Sequence, residues 1–213
     1  MFTEEILHDL VAKIQNKLPI ENDMTCGKLG QAVLLLWYAD RYAKPDYVEL
    51  AKYLVNESVN CFVDQPDLMS FSNISELGIG LIYIYKKGYL EFNQEIDRIL
   101  KPIDDIIFKH CNNQNYLLKQ SSLLPLYYLS ERYELIKSKS QRKLFYLLVN
   151  DIINNLSLLI EHRDNKKTNV YNIELDDFPF LLYIIRRLFK MDVNNDKILK
   201  ILNVYSNDLL TYF

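Results

Sequence analysis

Apolar residues recur at three- and four-residue spacing along most of the chain, and the pattern changes character from one segment to the next. Near the start, Ile6, Leu7, Leu10, Val11, Ile14 and Leu18 share one face of a helix that Thr3 would cap and Pro19 would stop. From about Gly27 to Tyr42 the chain is apolar on every side. After a break at Lys44-Pro45-Asp46, a one-faced helix runs to about Phe62, with Val48, Ala51, Leu54, Val55, Val59 and Phe62 inward and Lys52, Asn56 and Glu57 outward. The all-round apolar pattern then returns between Ile74 and Gly88. Asn73 is the expected cap, with Glu76 closing a capping box, and Gly88 is the expected C-terminal cap after Lys86 and Lys87. A helix without a polar face has to be covered on more than one side. Gly78 and Gly80 each cost about 1 kcal/mol relative to alanine in a helix interior, so they predict a close approach by another backbone.

The pattern repeats. Leu29-Gly30-Gln31-Ala32-Val33-Leu34-Leu35-Leu36-Trp37-Tyr38 aligns with Leu77-Gly78-Ile79-Gly80-Leu81-Ile82-Tyr83-Ile84-Tyr85-Lys86. Weaker copies follow at Leu123-Leu124-Pro125-Leu126-Tyr127-Tyr128-Leu129 and Phe178-Pro179-Phe180-Leu181-Leu182-Tyr183. Pro125 and Pro179 stand where Gly80 stands, so those two helices should begin later relative to the repeat. Between the copies lie one-faced segments: one beginning near Asn93, which Pro102 should kink or split, one from about Ser140 to Glu161, and one from about Asn194 to Tyr212. Repeats of this length indicate helical hairpins. The expectation is an all-α, single domain over residues 1–213, with a lead helix and four hairpins arranged as a partial α/α toroid or curved solenoid, all-round apolar helices inside and one-faced helices outside.

Composition narrows the class. Hydrophobic residues make up 49% of the chain, with 16 Tyr and 10 Phe, which suits a packed core rather than disorder. Five Gly and six Pro disfavour a turn-rich β fold. A net charge of -3 gives no electrostatic reason to expect nucleic acid or an anionic membrane as partner. Cys26, Cys61 and Cys111 are scattered and odd in number, which reads as reduced thiols. The acidic, amphipathic opening is unlike a signal peptide, and the longest apolar run, from Ala32 to Ala39, is too short to span a bilayer. A soluble cytoplasmic protein is expected, and heavy use of Asn, Ile, Lys and Tyr points to an AT-rich bacterial genome.

The segments GKLGQAVLLLWYADRY, SFSNISELGIGLIYIYKKGYLEFNQEIDRIL and YLLKQSSLLPLYYLSERY resemble successive repeats of lanthionine synthetase C-like proteins. In that family, segments of the type S-x-x-N-G-L-x-G-I-G open the inner helices of an α/α toroid. Ser70, Asn73, Leu77, Gly78, Ile79 and Gly80 fit, while the glycine expected soon after Asn73 is missing. The family holds zinc through two Cys and one His in its later repeats. Here there is no Cys-His-Gly motif, and His110-Cys111 has the order reversed. The resemblance therefore implies a partial toroid without the cyclase metal site: no catalytic residue, no cofactor and no metal. It implies a non-catalytic accessory protein that binds a peptide or a modifying-enzyme partner, or a second copy of itself. The alternatives are an enzyme, cyclase-like or hydrolytic, using the partial cavity, and a structural subunit of a hetero-oligomer.

His110 and Cys111 are adjacent and so poorly placed to share a tetrahedral metal, and Cys111 with His162 or His8 as base lacks a supporting motif. Cys26 reads as a small residue at a helix start. The acids Asp104-Asp105 and Asp176-Asp177 invite comparison with paired glycosidase carboxylates, but capping by Asp177 is favoured, and Asp104-Asp105 read as solvated or as serving the helix after Pro102. Tyr83, Tyr85, Tyr127, Tyr128 and Tyr183 read first as core, and as a ligand-stacking row only if they line an open face. Arg186-Arg187 and Lys166-Lys167 read as solvated basic pairs.

Overall fold

The computed structural model describes residues 4–17, 26–66, 69–91, 95–111, 123–163 and 178–210. Among them are nine helices and no strand. The helices are α1 (Glu4–Lys17), α2 (Cys26–Tyr42), α3 (Asp46–Asp64), α4 (Phe71–Lys87), α5 (Ile96–Cys111), α6 (Leu123–Leu135), α7 (Lys139–Arg163), α8 (Phe178–Lys190) and α9 (Asn195–Leu210). The backbone groups into two compact units, Met1–Ile96 and Asp97–Phe213.

In the first unit α1 lies on α2, α2 pairs with α3, and α4 packs on both α2 and α3. From Gln31 to Ala39 no residue of α2 is exposed, and from Leu77 to Ile84 none of α4 is. The all-round apolar pattern therefore does what it predicted: both helices are covered on more than one side. α3 is one-faced, with Ala51, Leu54, Val55 and Phe62 buried and Lys52, Tyr53 and Asn56 exposed. Leu54, Val55 and Phe62, so buried, each contribute about 1.5–3 kcal/mol over their exposed state.

Gly80 sits against the side chain of Leu29, so a Cβ at position 80 would overlap Leu29 Cδ2. Leu29 and Leu77 occupy equivalent places in the repeat, and both are buried. The close approach expected at this glycine is thus made by a side chain rather than a backbone. The glycine of the first copy, Gly30, has no such neighbour.

Both ends of α4 follow from capping chemistry. Ser70, not Asn73, is the N-cap: its Oγ accepts from the Asn73 N–H at 3.2 Å, and the helix begins one turn earlier than Asn73 would allow. Gly88 closes the helix in the left-handed conformation, φ 65°, its N–H reaching the carbonyl of Tyr85. The turn after α2 places Ala43 at φ 51° instead, a conformation that charges an L-residue about 1–2 kcal/mol.

In the second unit α6 packs on α7 and α8, while α9 packs on α7 and α8. α5 runs unbroken through the exposed Pro102, so the expected split does not occur. Pro125 and Pro179 fall in the first turns of α6 and α8, as the repeat alignment requires. No residue of α6 from Leu123 to Tyr133 is exposed. The fourth copy departs from the pattern. α8 buries Leu181, Ile184, Ile185 and Leu188, but leaves Leu182 (40%), Tyr183 (46%) and Phe189 (43%) open to solvent.

Candidate functional site

Two polar clusters are built on α6, and both come from helical spacing. Tyr128 and Arg132 are four residues apart, and Asp97 and Asp104 seven apart on α5, so each pair shares a helix face. The two faces meet. Arg132 is fully buried; its Nε donates to both Asp104 oxygens at 3.3 and 3.2 Å, and its Nη1 to Asp97 Oδ1 at 2.6 Å. Tyr128, also fully buried, donates its hydroxyl to Asp104 Oδ1 at 2.6 Å. Phe145 of α7 lies 5.9 Å from the guanidinium, face-on to the cation. Asp97 is the member that reaches water.

Burial pushes the Asp104 carboxyl above its ordinary value, opposed by the Arg132 charge and by the Tyr128 and Arg132 hydrogen bonds. For Arg132, burial lowers the pKa, but the Asp104 and Asp97 carboxylates outweigh it and the net direction is up. We take the pair as ionised at neutral pH, because Asp104 receives donors from two side chains and a guanidinium does not lose its proton there. The Tyr128 hydroxyl is driven well above its usual range by burial first and by Asp104 second.

The second cluster faces α8. Arg187 pairs with Glu131 at 2.8 Å and Glu134 at 2.7 Å, and its Nε donates to Ser130 Oγ at 3.3 Å. Ser130 in turn donates to the Tyr127 carbonyl at 2.7 Å. Tyr127 meets Phe180 and Tyr183 edge-on at 5.4 and 5.5 Å, and Arg187 lies 5.9 Å from the Tyr183 ring. The Tyr127 hydroxyl is raised by burial, then by Glu131 and Tyr183.

The residues singled out in the sequence are redistributed accordingly. Asp104 and Asp105 turn to opposite sides: Asp104 is locked to Arg132, and Asp105 is exposed and paired with Lys101 at 3.4 Å. Asp104 is thus not solvated, contrary to expectation. Tyr128 is core, whereas Tyr127 and Tyr183 come together beside an exposed helix face. Tyr83 stands 6.1 Å from Tyr89 in the first unit, and Tyr85 is exposed. Arg187 is not a solvated base but the hub of the second cluster, while Arg186 is exposed. His110 is exposed and donates Nδ1 to the Ile106 carbonyl, and Cys111 is buried, its thiol pushed up to about 12. Such a thiol stays protonated at neutral pH and is not a nucleophile. His8 meets the Tyr38 hydroxyl through Nδ1 and packs on Tyr42. Asp176, Asp177, Lys166 and Lys167 lie outside the described residues, as do the side chains of Cys26 and His162. Among the described residues no three of His, Cys, Asp and Glu are grouped to hold a metal ion, and no helix is long and apolar enough to cross a membrane.

Arg132, Glu131 and Asp97 were not singled out in the sequence. The available signal was the four-residue step from Tyr128 to Arg132 and the seven-residue step from Asp97 to Asp104.

Comparisons with protein-family models, curated proteins and solved structures give no match to this chain.

Proposed function

We propose that this chain is a non-catalytic helical-hairpin protein that binds a peptide or a protein partner, an incomplete relative of the lanthionine synthetase C-like toroid that serves peptide modification in a bacterial cytoplasm. The observation that carries the reading is the open face of α8. α8 stands in the place of the all-round apolar helices α2 and α4 but is one-faced, and beside Arg186 and Lys190 its outer face exposes Leu182, Tyr183 and Phe189. The reactive groups that an enzyme would need are engaged elsewhere: Asp104 holds Arg132 and Tyr128, Glu131 holds Arg187, and Cys111 is a buried thiol. The side-by-side packing of α2 with α4 in the first unit, and of α6 with α8 in the second, supports hairpins stacked within each unit.

The test is recovery of bound peptides from a random library on the full chain, followed by mass analysis. Peptides retained with unchanged mass support binding without chemistry. Peptides recovered hydrolysed or dehydrated would establish an enzyme instead.

A further inference from the structure

We infer that the exposed face of α8 takes an acidic peptide segment carrying apolar side chains. The inference rests on the peptide-binding reading above and names the chemistry of the partner. At about 3.6 residues per turn, Phe189, Leu182, Arg186, Lys190 and Tyr183 fall within about 120° of the helix circumference. All five are exposed. The face is therefore a stripe of apolar side chains about 12 Å long, with Arg186 and Lys190 between and beside them.

Charge decides the partner. α8 carries Arg186, Arg187 and Lys190 and no acidic residue. Arg187 is turned inward and matched by Glu131 and Glu134. Among the described residues, no carboxylate pairs with Arg186 or Lys190. The strip is thus locally cationic and apolar, and a segment with acids spaced among Leu or Phe side chains complements it on both counts.

A bilayer or a nucleic acid would be a poorer match. Each presents a broad anionic surface to the whole molecule, whose net charge is -3, and Glu134, Asp192 and Asp196 are exposed on and beside the neighbouring helices. A short peptide lying on the strip meets Arg186 and Lys190 directly, while Glu134 is matched to Arg187 and Asp192 lies at the strip's end.

The experiment uses the full chain and a displayed random library of peptides about twelve residues long, close to the length of α8. Selection runs in parallel on the native protein, on Arg186→Glu/Lys190→Glu, and on Arg186→Lys. Circular dichroism melts confirm that the variants fold, as expected for exposed positions. The native chain and Arg186→Lys should enrich peptides rich in Asp, Glu and apolar residues. The charge-reversed variant should bind the same peptides at least about tenfold more weakly, and the native affinity should fall as salt rises. Enrichment of basic or uncharged peptides overturns the inference. So does tighter binding of phosphatidylglycerol vesicles or of a DNA duplex that displaces the peptide. Acidic peptides held equally by the charge-reversed variant would leave peptide binding standing and remove it from α8. No enrichment on any form would end both readings.

Discussion

Tyr128→Phe removes one oxygen from the buried network and leaves the ring, its volume and its packing in place. The lost bond is a hydroxyl donating to a carboxylate at 2.6 Å, with both groups buried. Hydrogen bonds to a charged partner contribute about 1.5–3 kcal/mol net, and Arg132 still holds Asp104, so no unpaired charge is created. The expected loss is therefore about 2 kcal/mol. For a chain of this size, it corresponds to about 4–8 °C in melting temperature. Urea unfolding followed by circular dichroism would read it, with an unchanged dependence on denaturant concentration. The loss should also depend on pH. Tyr128 stabilises the ionised form of Asp104, so the variant and the native chain should converge as pH falls and that carboxyl takes up its proton. Tyr127→Phe, at a half-buried position without a carboxylate bond, should cost under about 1 kcal/mol. A Tyr128→Phe cost below about 0.5 kcal/mol, or one that stays constant into acid, would refute the network as described.

Three other changes follow from local geometry. Ala43→Gly should stabilise the chain by about 1 kcal/mol, read by urea unfolding, because φ at that position is 51°. Gly80→Val should cost about 1–3 kcal/mol through overlap with Leu29, with most of it recovered by adding Leu29→Ala, whereas Gly30→Ala should be neutral or mildly stabilising in the same assay. Cys111 should resist a thiol reagent in the native state until the chain unfolds. Its raised value also fixes a sign: the stability it contributes is fully present below its ordinary value of 9.0 and is lost as pH rises towards about 12. Over that window the native chain should lose about 1.4 kcal/mol per pH unit more than Cys111→Ala does.

The helices were legible because each is long and periodic, and their ends fell within a few residues of Pro, Gly and Ser signals. Where the reading slipped, a local rule had a close competitor. Asn73 with Glu76 makes a capping box on paper, but Ser70 accepts from the Asn73 N–H, starts the helix one turn earlier and lets Phe71 and Ile74 be buried. Pro102 removes one donor in the interior of an otherwise strongly amphipathic helix, and the packing of Ile103 and Ile107 carries the helix through it. The polar clusters were not legible for a different reason. Arg132 and Asp97 are 35 residues apart, and S-E-R-Y-E reads like a solvated turn of helix. Only tertiary packing shows that its Arg is fully buried and its neighbouring Glu131 faces Arg187. The open face of α8 was legible only in part: Arg186 and Lys190 mark an outer side, but nothing in the sequence shows that Leu182, Tyr183 and Phe189 lie on it.

Hydroxyl-radical footprinting of the full chain, with and without a peptide selected on it, tests the docking face most directly. Protection should concentrate at Leu182, Tyr183 and Phe189, with Tyr53 and Tyr85 of the first unit unchanged. Protection that leaves those three side chains as reactive as in the free protein would contradict the account.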